Sequence, residues 1–335
     1  MVPEKPRPTL KDIALQADVS IATVSRALAD SPAVTQKTRE RIQALATELG
    51  YRPNAQARAL QSSRTNTIGV VVPSLINHYF AAMVTALQDV AEAADMAVII
   101  TNSNENAAMM ASSLDFLASH GVDGIICVPD EGCADQLEEL HRQSLPLVLI
   151  DRELPSSSIP TVVSDPEPGI RAAVNLLVRH NALPVGYLSG PTSTSTGRHR
   201  LDTFRQACAD AGFPEQPVFL DGYEQSRGFQ GANHLIGQGV KTLFAGDSMM
   251  TIGVLEACHR AGLRIGEDIS IVGFDNQPLF GLQPRPLTLI DQHVETMAHR
   301  AFAVLNGLIE GENPQSRYIS IPTTLIERES IRTTP

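Results

Sequence analysis

Apolar positions along this chain follow two rhythms. Between Leu10 and Leu49 they recur every three or four residues in short bursts. From Thr67 onward they come as continuous runs separated by longer helical periods. In the first part, Ile13, Ala14 and Ala17 make the apolar stripe of a helix starting at Leu10, with Thr9 as cap and Asp12 near its positive end. "ADVS" is a short turn. Ser20 then caps a second helix, Ile21–Leu28, in which Val24, Ala27 and Leu28 face the first. A third helix follows from Thr35, with Ile42, Leu45, Ala46 and Leu49 inward. Ile21, Ala22, Thr23, Ser25 and Arg26 are left on the outside of the second helix. Short side chains early in that helix let its N-terminal end approach base edges, and Arg26 can reach guanine O6 and N7 or a phosphate. This is the pattern of a helix-turn-helix; the plain alternative is an ordinary helical hairpin.

The longer part alternates apolar runs with helices. "TIGVVVP" (67–73), "AVIIT" (97–101), "GIICVP" (124–129) and "LVLID" (147–151) are spaced by helices near 78–94, 107–119 and 132–142. A second series runs from "TVV" (161–163) through "VGYLS" (185–189), "VFL" (218–220), "TLFAG" (242–246) and "SIVGF" (270–274). Its helices lie near 166–180, 198–212, 226–238 and 248–262. Continuous apolar strands between helices mean parallel sheets covered on both faces. Two series predict two doubly wound subdomains. "LTLID" with a helix over 292–310, "YISIP" (318–322) and a last strand near 323–328 are extra segments.

Charge divides the chain in the same place. Residues 1–64 hold ten Lys and Arg against six Asp and Glu, while the whole chain carries a formal net charge of -11. A basic head on an acidic body points to nucleic acid or to a solvated basic surface. No apolar run reaches membrane-span length, and the N-terminus has no signal core, so export is not expected. The four cysteines (Cys127, Cys133, Cys208, Cys258) show no metal-ligand spacing and read as buried small hydrophobes; no metal and no cofactor are expected. There is no phosphate-cradling GxxxxGKS, no GxGxxG after a strand and no GxSxG elbow, so an enzyme is not expected.

"TLKDIALQADVSIATVSRALAD" and "GYRPNAQARAL", in this order, resemble the lac-repressor (LacI) family of bacterial transcription regulators, and the likeness runs through nearly the whole chain. It implies an all-α helix-turn-helix head (1–51) and a hinge helix and linker (52–66). The body is implied to be α/β and like periplasmic binding proteins, with an N-terminal subdomain of 67–162 plus 291–322 and a C-terminal one of 163–290 plus 323–335. It also implies three crossings between the subdomains, with "LTLID" and the segments up to 322 returning to the first and the last strand lying with the second. DNA contacts are implied at Thr9, Ser20, Ile21, Ala22, Thr23, Ser25 and Arg26, and at Asn54, Ala57 and Leu60 of the hinge. A six- or seven-residue hinge helix is unstable alone in water, so it would form only against a twin or DNA, with Leu60 wedged into a base step. Partners are then operator DNA with a pseudo-palindromic sequence and a second copy of the chain. No tetramer is expected, because "ERESIRTTP" lacks the family's leucine heptad. The expected compartment is the cytoplasm, at the nucleoid, with no membrane partner.

Ligands of open α/β sheets sit beyond the carboxyl ends of the strands. That rule alone selects Ser74–Phe80, Asn102–Asn104, Asp130, Asp151–Arg152, Gly190–Arg200, Asp221–Glu224, Asp247, Asp275–Asn276 and Asp291–Gln292. Asp, Asn and Arg can bind sugar hydroxyls, and aromatics suit the apolar face of a sugar ring. "NHYF" resembles the "NPFF" of ribose repressors and ribose-binding proteins, and "IDRE" their Asp-Arg pair. The resemblance therefore implies a sugar effector held by Asn77, Tyr79, Phe80, Asp151, Arg152, Arg198, Tyr223, Asp247, Asp275 and Gln292. It also implies that a sugar gripped from both lobes changes their angle and releases DNA, so induction rather than corepression is expected. Plain readings stand beside these: Asp151, Asp247 and Asp275 as caps, Arg198 as a surface ion pair, Tyr79 and Phe80 as core. Gly246 departs from the ribose pattern, which has Asn there. The departure loses a donor and gains space, so ribose, another pentose or hexose, or a nucleoside would fit. A corepressor-dependent regulator of the purine-repressor type is the alternative, although its purine-binding arginine falls at Thr194. A sugar-binding protein without regulatory role is a further one.

Overall fold

The computed structural model describes residues 8–28, 30–51 and 64–332. The chain packs as two units divided between Thr65 and Asn66. Residues 52–63, with the hinge positions Asn54, Ala57 and Leu60, lie outside the described residues.

The head is three helices: α1 (Leu10–Ala17), α2 (Ile21–Leu28) and α3 (Gln36–Glu48). Ile13, Ala14, Ala17, Val24, Ala27, Ile42 and Ala46 bury together as its core, with Leu45 and Leu49 packed against them. The turn after α1 is made by Asp18 in the left-handed region (φ 50°), where Asp is among the few side chains tolerated. Arg41 of α3 donates to the Ala17 carbonyl at 2.8 Å, satisfying one of the orphan acceptors at the end of α1.

The body holds two sheets of six strands. The first runs β11-β5-β4-β3-β1-β2 and the second β12-β10-β9-β8-β6-β7. In the first, β1 (Thr67–Val72), β2 (Ala97–Asn102), β3 (Gly124–Cys127), β4 (Leu147–Ile150), β5 (Thr161–Asp165) and β11 (Tyr318–Pro322) are all parallel. In the second, β6 (Gly186–Ser189), β7 (Val218–Leu220), β8 (Thr242–Ala245), β9 (Ser270–Phe274) and β10 (Thr288–Asp291) are parallel, and β12 (Thr324–Ile326) closes the edge antiparallel to β10. The helices between them are α4 (His78–Ala93), α5 (Ala107–Ser119), α6 (Ala134–Arg142), α7 (Glu167–Arg179), α8 (Ser195–Asp210), α9 (Gln225–Gly237), α10 (Ser248–Arg260), α11 (Pro278–Gly281) and α12 (Val294–Ile309). Each sheet is covered on both faces, which gives two apolar clusters per lobe and explains why its strands read as unbroken apolar runs.

Two strand assignments are corrected. "TVV" does not open the second series: β5 pairs with β4 (Leu149 beside Thr161) and lies in the first sheet, so the first crossing falls after Asp165 rather than at 162/163. "LTLID" does not return to the first lobe. It forms β10 beside β9 (Thr288 beside Val272), and the second crossing follows Asp291. The helix after it, α12, does return and packs on α4, β3, β4 and β5. Buried apolar strands of the two lobes look alike in sequence, so their sheet membership is set by pairing partners. The three crossings lie together: the Thr323 hydroxyl donates to the Asp165 carbonyl at 2.8 Å and accepts the Gly169 amide at 3.1 Å. A Cβ at Gly169 would stand 2.6 Å from Ile290 and 2.7 Å from Thr323, so only glycine permits this close approach.

Candidate functional site

In the head, α2 turns Val24 and Ala27 inward and leaves Ile21, Ala22 and Arg26 exposed, with Thr23 and Ser25 half-buried. Ser20 serves as the cap: its Oγ accepts the Thr23 amide at 3.1 Å and lies 2.8 Å from the Thr23 hydroxyl. Thr9 is engaged as well, since its amide and hydroxyl both donate to Asp12 Oδ2 at 2.8 Å. These bonds, the backbone one first, hold the Asp12 carboxyl below its usual range. Seven of the expected contact residues are thus presented by the two helix starts and one outer face.

In the body, strand ends from both lobes meet at a polar floor. Asp151 follows β4 and Asp275 follows β9, both in the left-handed region (φ 68° and 66°). Their amides donate to the neighbouring strands, Asp151 to Val162 at 2.9 Å and Asp275 to Ile290 at 2.8 Å. The two carboxylates therefore sit at equivalent places in the two sheets. Backbone strain of this kind persists only where the surrounding fold fixes it, and it clusters at functional positions.

Between them lies a network that is buried except at half-buried Ser164. Tyr79 donates to Asp151 at 2.7 Å. Gln292 donates to Asp275 at 2.5 Å, and its Oε1 accepts from Arg200 at 2.7 Å and from the Ser164 hydroxyl at 2.7 Å. Arg200 also donates to the Gly246 carbonyl at 2.7 Å and stacks over Phe274 at 4.5 Å. Asn77, which caps α4 by accepting the Tyr79 amide, also accepts from Ser248 of the other lobe at 3.2 Å. Asp247 caps α10 through the Met249 and Met250 amides at 2.7 and 3.1 Å and also faces the floor. Burial pushes the carboxyls of Asp151 and Asp275 up, and burial beside Asp275 raises Asp247 to about 7. Burial also opposes the charge on Arg200, but Tyr223, Asp151 and Asp275 outweigh it and keep the guanidinium ionised.

Above the floor the cleft opens to about 700 Å³, lined by Ile76, Phe80, Glu105, Arg152, Tyr223 and Met249 among others. Arg152 is clamped by Glu105 through two bonds of 2.8 and 2.7 Å and lies 5.8 Å from the Tyr223 ring. Its buried Nε has no hydrogen-bond partner in the structure. The Tyr223 hydroxyl meets those of Thr194 and Thr196 at 3.2 and 3.0 Å. Within the floor only about 20 Å³ is left open, roughly the room one water needs, so a larger ligand enters by moving side chains or lobes.

Nine of the ten expected effector residues line the cleft or its floor. Arg198 does not. It points to the rim, where it pairs with Glu131 at 2.7 Å and donates to the Thr192 carbonyl. Helical phase explains this: in "STGRHRL" the buried face of α8 carries Gly197, Arg200, Leu201 and Phe204, and Arg198 lies off it. Arg200 had only the strand-end rule to select it. Thr196 likewise had only that rule, and Glu105, Ser164 and Ser248 also reach the site although nothing in their local sequence marks them. The space expected at Gly246 is absent too. A Cβ there would stand 2.9 Å from both the Tyr187 hydroxyl and the Leu188 carbonyl, so a buried tyrosine fills what the missing Asn leaves. Gly246→Asn should accordingly lose about 1–3 kcal/mol of stability by overpacking, read as a lower melting temperature; an unchanged melt would show that the site has room. All four cysteines are buried, and burial raises Cys127 to about 12 and Cys208 and Cys258 to about 11, so they are inert thiols.

Residues 9–54 match the model of bacterial regulatory proteins of the lacI family, and 174–331 match a periplasmic binding protein-like domain. The crystal structure of a probable LacI family transcriptional regulator from Corynebacterium glutamicum is 63% identical to this chain, covering 80% of it and 100% of that chain, with a TM-score of 0.76. This chain belongs to the lacI family. The lac repressor dimer bound to operator and an anti-inducer is 26% identical and superposes with a TM-score of 0.87 over 98% of this chain and all of that one. Catabolite control protein A of Priestia megaterium is 28% identical over 97% of this chain and 99% of its own. The protein is a DNA-binding transcriptional repressor of the lacI family, with a helix-turn-helix head and two parallel-sheet lobes; it is not an enzyme. Among the described residues no helix is long and apolar enough to cross a membrane.

Proposed function

We propose that this lacI-family repressor binds a pseudo-palindromic operator as a homodimer and is released from it by a small neutral sugar or sugar derivative, ribose or a related pentose or nucleoside, bound between its two lobes. The observation that carries the effector reading is the floor, where Asp151 and Tyr79 of one lobe face Asp275, Gln292 and Arg200 around one small space. Vicinal hydroxyls need acceptors and donors side by side, which this set supplies, and Phe80 and Tyr223 supply faces for the ring. The Nε of buried Arg152, ion-paired with Asp151 Oδ2 at 3.9 Å but without a hydrogen bond, supports a ligand acceptor beside Asp151. A purine held as in the purine repressor is less well supported: Thr194 stands at that position, caps α8 and bonds Tyr223. Its place of action is the cytoplasm, where operator DNA is.

Binding at such a cleft regulates DNA only if the effector prefers one of two lobe arrangements, and linkage then makes the operator weaken effector binding by the same factor. Operator fluorescence anisotropy, titrated with and without ribose or a nucleoside, tests the direction; tighter DNA binding on adding the effector would reverse it. Arg26→Ala should weaken operator binding by about 1–3 kcal/mol while sparing random DNA and effector affinity. Equal loss on random DNA would make Arg26 a phosphate contact instead.

A further inference from the structure

The wide cleft above the floor has a chemistry of its own. Its charged lining is Glu105, Asp130, Glu131, Glu153 and Glu224 against one cation, Arg152. That cation is already clamped by Glu105, and Arg198 on the rim is held by Glu131. An anion entering here therefore meets five carboxylates and a single guanidinium, Arg152, whose two terminal nitrogens are already taken by Glu105 and whose Nε alone carries no hydrogen bond. The uncharged lining mixes polar side chains such as Asn104, Ser193 and Gln225 with apolar surface that a bare sugar does not need. Ile76 is 79% exposed at the cleft, facing a space also bordered by Phe80, Pro129, Pro191, Tyr223 and Met249. The floor offers polyol contacts; the mouth offers flat apolar surface inside an acidic collar.

We infer that the effector is an unphosphorylated pentoside, with its sugar on the floor and a flat, uncharged aglycone such as a nucleobase against Ile76, Tyr223 and Met249, and that the acidic collar rejects its phosphorylated form. The inference rests on the reading of the floor as a pentose site. Discrimination against phosphate follows from like charges brought together in a partly desolvated cleft, where field lines focus. The regulator would then sense the nucleoside pool and ignore the nucleotides.

Calorimetry on the full-length protein without operator, using ribose, ribose 5-phosphate, uridine, adenosine and their 5′-monophosphates, tests both halves. At least one nucleoside should bind about tenfold or more tighter than ribose, and its monophosphate about tenfold or more weaker than the nucleoside. Ribose matching or exceeding every nucleoside overturns the aglycone. A monophosphate as tight as its nucleoside overturns the collar. Binding by none of the six overturns the pentose reading itself, which separates that failure from the other two. The double substitution Glu153→Gln with Glu224→Gln should narrow the nucleoside-to-nucleotide ratio; an unchanged ratio also overturns the collar.

Discussion

Arg200→Met should cost about 3–5 kcal/mol of stability, whereas Arg198→Ala should cost about 1 kcal/mol or less. The two residues lie two positions apart on α8, yet one is a buried cation and the other half of an exposed pair. Arg200 faces Asp151 and Asp275 and donates to Gln292, which in turn binds Asp275. Removing its charge leaves those buried carboxylates uncompensated, which costs far more than losing a solvated ion pair. Methionine keeps much of the volume and the contact with Phe274, so the loss reports charge rather than a hole. Denaturant unfolding of the three proteins side by side gives the ranking. The same variants should separate in the operator assay: Arg198→Ala should still respond to effector, and Arg200→Met, where it folds, should hold DNA regardless. If Arg198→Ala were the more damaging of the two, the assignment of Arg200 to the floor would be wrong.

The contrast between these arginines marks how far the sequence is legible. The limits of α2, Ile21–Leu28, follow from its cap and stripe alone, because both signals lie within one helix and its neighbours. The alternation of buried strands and helices was equally readable, since burial on both faces leaves a one-dimensional signature. What could not be read is any feature decided by a partner distant in the chain. β5 and β10 were misplaced because pairing with β4 and β9 determines their sheets. Glu105 became part of the site only through Arg152, 47 positions later. Gly246 read as added space because the residue that fills it, Tyr187, comes from a neighbouring strand. Asp247 fits both of its readings at once, as helix cap and as one wall of the floor.

That double role makes Asp247→Asn the most informative change for pH. Asparagine caps a helix as well as aspartate, so the bonds from Met249 and Met250 survive while the buried charge goes. Burial, with Asp275 adding repulsion, raises the Asp247 carboxyl from 3.8 to about 7 in the folded protein. Between those values the folded state holds a proton that the unfolded state has released. Stability from this group is therefore complete below about pH 4 and is lost as pH rises through 7, amounting to about 1.4 kcal/mol between pH 6 and pH 8. Asp151 and Asp275 are shifted in the same direction. Exposed acids such as Asp268, which its bonds to Arg264 hold at about 2, act the opposite way, but only at lower pH where they become protonated. The wild-type protein should thus melt at a lower temperature at pH 8 than at pH 6, and Asp247→Asn should flatten that slope and gain most at pH 8. A melting temperature that rises from pH 6 to pH 8 equally in both proteins would mean that Asp247 is ionised throughout, with its charge compensated on the floor by Arg200.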